Sequence, residues 1–177
     1  MRLMKQLATS VAAFVVMTAA ATAQEQTSDN RVAAKTDWSV FVEDNPKECW
    51  GVSIPKETVN TRDGRVVAAT RGQILLMVFY RPGSGAEGQV AFTGGYPFRE
   101  GSQVSVSISG ESFSLFTEGE WAWPASPQDD ARIVNSMKRG VEAEVTGVSS
   151  RGTTTKDTFS LLGFTAAVED AETRCKS

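Results

Sequence analysis

Along most of the chain, apolar residues recur at every second position in short runs that turn residues interrupt. Val104-Ser105-Val106-Ser107-Ile108 shows the pattern most clearly. Its apolar side chains share one face and its serines the other, as in a half-buried strand. Ser109-Gly110-Glu111 supplies a tight connection, and Phe113-Ser114-Leu115-Phe116 returns as the hairpin partner. Trp38 to Val42 is a β-rich run that Asn45-Pro46 ends. Glu48 to Ile54 follows, with Cys49 and Trp50 on opposite faces, and Pro55 closes it. Arg62-Asp63-Gly64-Arg65 is a turn before Val66 to Ala69. Gln73 to Tyr80 is apolar nearly throughout and too short for a typical helix, which predicts a central strand covered on both faces. Val90-Ala91-Phe92 runs into the turn Gly94-Gly95-Tyr96-Pro97. Trp121-Ala122-Trp123 places two indoles on one face, and Val141 to Val148 and Asp157 to Leu161 are the last strands.

Two helices interrupt this pattern. Ser126 is a suitable N-cap, Pro127 fits the first helical position, and Asp129 stands three residues after the cap. Ala131, Ile133, Val134 and Met137 form an apolar stripe, Lys138 and Arg139 suit the negative end of the dipole, and Gly140 ends the helix. Thr165 can cap a second helix, Ala166 to Arg174, that delivers Cys175. About nine short strands and two short helices predict a mainly β, single-domain β-sandwich or jelly-roll-like fold.

The N-terminus obeys a different rule. Arg2 and Lys5 precede an apolar stretch from Leu7 to Ala20, and Ala21-Thr22-Ala23 offers small residues at a cleavage site. Residues 1–23 therefore read as a signal peptide cut after Ala23, too short to anchor in a bilayer that needs about 20 apolar residues. Residues 24–36 read as a flexible leader and 37–177 as the folded domain. A periplasmic or secreted location follows, without stable membrane insertion after cleavage. The whole chain carries a formal net charge of −3, and loss of Arg2 and Lys5 makes the remainder more acidic. An acidic domain without a basic run argues against nucleic acid as a partner.

In an oxidising compartment, the two cysteines read as one disulfide, Cys49–Cys175. They are not spaced as C-x-x-C, which disfavours a redox-active pair. The chain has no histidine. That removes the commonest general base and zinc ligand, and with both thiols assigned no metal site or cofactor is predicted. Catalysis is left to carboxylates. Glu118 and Glu120 flank Gly119 beside the tryptophans, and a glycan-processing hydrolase could use such a pair, but a solvated hairpin turn is the ordinary explanation of Thr-Glu-Gly-Glu. Trp121 and Trp123 read first as core packing. Alternatively they join Tyr96 and Phe98, with Arg99 alongside, in an exposed platform for a ligand or partner.

Several runs carry a family resemblance: Asp37-Trp38-Ser39-Val40-Phe41, Glu48-Cys49-Trp50, Phe92 to Phe98, Phe116 to Pro124, and Asp157 to Ala167 before Cys175. Together they resemble the invasion-associated locus B family of exported alphaproteobacterial proteins, from Asp37 to Cys175. The resemblance implies an envelope or periplasmic protein with no assigned enzymatic activity, in a family named for a role in host-cell entry. It supplies no catalytic motif. The expectation is thus a non-enzymatic protein that binds an envelope component or protein partner.

Overall fold

The structure, a computed structural model, describes residues 30–176. The expected signal peptide, its cut after Ala23 and the first part of the leader lie outside the described residues. Twelve strands are present: β1 (Arg31–Lys35), β2 (Trp38–Asp44), β3 (Lys47–Ser53), β4 (Glu57–Arg62), β5 (Arg65–Val66), β6 (Leu75–Arg81), β7 (Ala86–Thr93), β8 (Gln103–Ile108), β9 (Glu111–Glu118), β10 (Trp121–Trp123), β11 (Glu142–Val148) and β12 (Thr154–Ser160). The helices are α1 (Pro127–Arg139), between β10 and β11, and α2 (Phe164–Lys176), after β12.

All strands belong to one antiparallel sheet in the order β1-β2-β3-β6-β7-β10-β9-β8-β11-β12-β4-β5. The mainly β class with two helices stands, but the strand count rises from about nine to twelve, and the layers belong to one continuous sheet. That sheet folds over on itself. The Trp38 indole N–H donates to the Ser160 carbonyl (2.9 Å), and the Asp37 amide donates to Leu162 (3.2 Å). The start of β2 is thereby fastened to the far end of β12. Across the interior, Phe92 of β7 meets Phe159 of β12 edge-on at 6.2 Å.

The alternation seen in the sequence decides which side chains fill that interior. Val40, Cys49, Val78, Val90, Val104, Val106, Val145 and Phe159 are all fully buried and belong to one core. The helices pack on the same inner face. Phe164, Ala167, Val168 and Ala171 of α2 lie against β2 and β3, while α1, with Ile133 and Met137 in the same core, packs against β7. The α1 cap forms as the sequence predicts, with Ser126 Oγ accepting from the Asp129 amide. Gly140 ends α1 in an extended conformation (φ −82°), not a left-handed one. Its small size serves packing instead, since a Cβ there would lie 2.6 Å from Ile108 and 2.9 Å from Leu161. α2 begins at Phe164, ahead of the expected start at Ala166.

The leader expected over 24–36 is corrected from Arg31 onward, where the chain forms β1. This strand has no apolar period of its own. It is held by its ladder to β2, by the Lys35–Asp170 ion pair (3.2 Å), and by the close approach of its end to α2. That approach requires Gly163 (φ +88°), where a Cβ would fall 1.9 Å from the Lys35 carbonyl oxygen.

Candidate functional site

Because side chains alternate along a strand, the sheet's outer face is as well defined as its inner one. Antiparallel register aligns Phe41 of β2 with Trp50 of β3, and Trp50 with Phe79 of β6. Phe41 and Trp50 stack nearly parallel at 5.5 Å, and Trp50 lies 6.0 Å from Phe79. Arg81 lies over Phe79, 4.1 Å from the ring centre, and pairs with Glu48 (3.2 Å). The adjoining row runs Val52, Met77, Ala91, and Trp123 of β10 packs against it. Trp123 aligns with Phe116 of β9 and stacks on Trp121 at 5.8 Å.

This apolar field crosses β2, β3, β6, β7, β10 and β9, and both helices lie on the opposite side of the sheet. Trp121 and Phe116, at its margin, are 37% and 45% exposed. Beyond them the same outer face turns polar. Ser105, Ser107, Ser112, Ser114, Thr146 and the Lys156–Glu144 ion pair occupy β8, β9, β11 and β12.

Structure thus separates the residues that the sequence groups as one platform. Trp121 and Trp123 lie on the outer face and are not core, although Trp123 is half-buried by its neighbours. Phe98 is core, 6% exposed, packed edge-on to Tyr96 (5.1 Å) and beside Phe92. It cannot belong to an exposed platform. Arg99 is exposed, beside the Ser149–Gly152 turn.

Tyr96 belongs to a second feature, a cavity of about 450 Å³ at one end of the sheet. It lies between the 67–71 segment, the 95–97 loop and the 149–153 turn. The floor is rigid. Arg71 forms a bidentate pair with Asp157 (2.7 and 2.6 Å), and its Nε donates to the Gly94 carbonyl (2.8 Å). Both partners are almost wholly buried. Arg71 also lies over the Tyr96 ring at 5.1 Å, and the Tyr96 hydroxyl is 2.6 Å from Thr155 Oγ1. Burial pushes the Tyr96 phenol above its ordinary range, against the opposing effects of Thr155 and Arg71.

Sequence reasoning missed the Arg71–Asp157 pair. The available signal was parity: Asp157 shares the inward face of β12 with Thr155 and Phe159, where an unpartnered carboxylate would be costly. Asp130 was missed for a similar reason. It reads as a first-turn acid of α1, yet it is buried and accepts a hydrogen bond from the Val90 amide (2.7 Å), pinning α1 to β7.

The two carboxylates of the hydrolase reading occupy different surroundings. Glu118, exposed on β9, aligns with Trp121 on β10, whereas Glu120 lines the end cavity. Gly119 turns the chain between them at φ +59°. Cys49 of β3 and Cys175 of α2 are joined, with Cα atoms 5.7 Å apart, and the link clamps the end of α2 to the sheet.

No curated protein and no solved structure matches the chain. The family model described as Invasion associated locus B (IalB) protein matches residues 38–172. The match begins at β2 and reaches into α2, and so takes in the aromatic outer face, the cavity and the core between them. The chain belongs to the invasion associated locus B family.

Proposed function

We propose that this chain is an exported, non-enzymatic cell-envelope protein that uses the aromatic outer face of its sheet to hold a protein partner. The observation that carries this reading is the contrast within that face. Five strands, β2, β3, β6, β10 and β9, present indole or phenyl rings, with Ala91 of β7 between them, while β8, β11, β12 and the far half of β9 present serines, threonines and an ion pair. Aromatic side chains at the centre of a field with a polar border are the composition of interface hot spots.

Several features support the remainder. The charged, apolar and small-residue order of residues 1–23 is that of a secretory signal. The Cys49–Cys175 link suits an oxidising compartment. Among the described residues, no helix is long and apolar enough to cross a membrane. The family is not a known enzyme family, and Glu118 aligns with Trp121 while Glu120 lines the end cavity, which gives the hydrolase reading no support.

Export is checked by sequencing the N-terminus of the protein recovered from the envelope fraction: Gln24 is expected first, and an intact Met1 would contradict it. The partner surface is checked by replacing Phe116 and Trp121, its two most exposed members, with serine. Loss of the complex seen after envelope crosslinking, with the melting temperature nearly unchanged, is expected. A complex that survives both substitutions would overturn the assignment.

A further inference from the structure

We propose that the cavity at the end of the sheet is a binding site for a saccharide bearing a single carboxylate. Its volume, about 450 Å³, falls within the roughly 300–1,000 Å³ typical of small-ligand sites. Its charge arrangement limits the ligand. Asp157 already meets the Arg71 charge in a bidentate pair, so Arg71 is committed to the floor. Arg62 and Arg151 also line the cavity, and both are exposed. Arg62 gives one N–H to Thr153 (2.7 Å), and Arg151 holds no ion pair among the described residues. Glu120 is the one carboxylate on the cavity wall.

Two guanidinium groups against one carboxylate leave a local excess of one positive charge, in a chain whose net charge is negative. That excess matches one carboxylate on the ligand, which a guanidinium fork receives well. Glu120 would repel a second anionic group but can accept hydrogen bonds from sugar hydroxyls. Thr70 and Ser150 add hydroxyl groups to the wall, while Tyr96 and Pro97 add apolar surface. Such a mixture suits the alternating polar and apolar faces of a pyranose ring better than it suits an apolar ligand.

The site is also built in advance of any ligand. The Gly72 amide donates to the Gly95 carbonyl (2.8 Å), and the loops meet so closely that a Cβ on Gly95 would lie 2.6 Å from the Gly72 oxygen. The Ser150 amide donates to Pro97 (2.8 Å), tying the opposite wall to the Tyr96 loop. Walls fixed in this way lose little freedom on binding.

The test is an NMR titration of the purified protein with glucuronate, galacturonate and N-acetylmuramate, with glucose and acetate as controls. Saturable shifts of the Gly95, Ser150 and Arg151 amides are expected with at least one acidic sugar, and clearly weaker ones with either control. Replacing both exposed arginines (Arg62→Gln with Arg151→Gln) should weaken that binding by about tenfold or more, the loss of a charge-assisted hydrogen bond. Should the double variant fail to fold, Arg151→Gln alone carries the same test. No shift at these amides with any acidic sugar, acetate binding as tightly as the sugars, or binding unchanged in the arginine variants would each overturn the proposal.

Discussion

Arg71 and Asp157 show how much of this molecule depends on single polar pairs. With both partners buried and hydrogen-bonded, the pair keeps the cavity floor in place. Replacing Asp157 with alanine would strand the Arg71 guanidinium, and removal of one partner from a buried pair costs about 3–5 kcal/mol. Urea unfolding of Asp157→Ala should show a loss of that size; a loss below about 1 kcal/mol would mean that Arg71 swings out to solvent. The two tyrosines offer a second reading at this scale. Burial, with Glu172 and Glu169 nearby, pushes the Tyr80 phenol up from 10.0 to about 12, and Tyr96 is raised too. These are the chain's two tyrosines, so phenolate absorbance should rise at higher pH than the ordinary 10, with Tyr80 titrating near 12. The sign for stability follows. The native state holds its phenol protons where the unfolded chain releases them, so stability is full below pH 10 and falls as pH rises toward about 12.

At the scale of elements, the attachment of α1 is the most informative case. Ser126 caps it, and Ser126→Ala should cost about 1 kcal/mol. Asp130 works differently. Burial raises its carboxyl above the ordinary range, offset in part by the Val90 hydrogen bond and reinforced by Asp129. A raised acid is a native-state penalty that is present at neutral pH and relieved as pH falls through the native value toward the ordinary 3.8. Asp130→Asn keeps an acceptor for Val90 without the charge. Thermal melts should therefore find wild type gaining on this variant as pH drops through the acid range; a constant difference would refute the buried-charge account. The same elements show what the sequence discloses. The β8–β9 hairpin is legible because Ser109-Gly110 is a turn whose residues both take positive φ (50° and 85°), joining strands of strict alternation. The α1 cap is legible because its residues act locally. β1 is invisible because its order comes from its neighbour; the turn at Asp63-Gly64 is legible, but of the run from Val66 to Ala69 only Val66 joins a ladder, in β5. The outer aromatic field lies between these cases. Trp50 and Cys49 are visibly on opposite faces, but adjacency of Trp50 to Phe79 needs the β3–β6 pairing, which skips the β4–β5 hairpin.

For the whole molecule, the sheet's two faces divide the work. The inner face holds both helices and the core, and the Cys49–Cys175 link fixes the end of α2 to β3 across a sequence separation of 126 residues. Closure of a loop this long is worth about 4–5 kcal/mol on the chain-entropy model. Urea unfolding with and without reductant should show a difference of that order, and coincident curves would contradict it. With the helices confined inside, the outer face is left with its own aromatic side chains for cover. The interaction reading depends on that asymmetry. The most direct measurement places a photo-crosslinking residue in living cells at position 121, in the aromatic half, and in a second strain at position 112, in the polar half. Crosslinks to a discrete envelope partner from 121 and none from 112 are predicted; crosslinks of equal yield from both positions, or none from 121, would contradict the assignment.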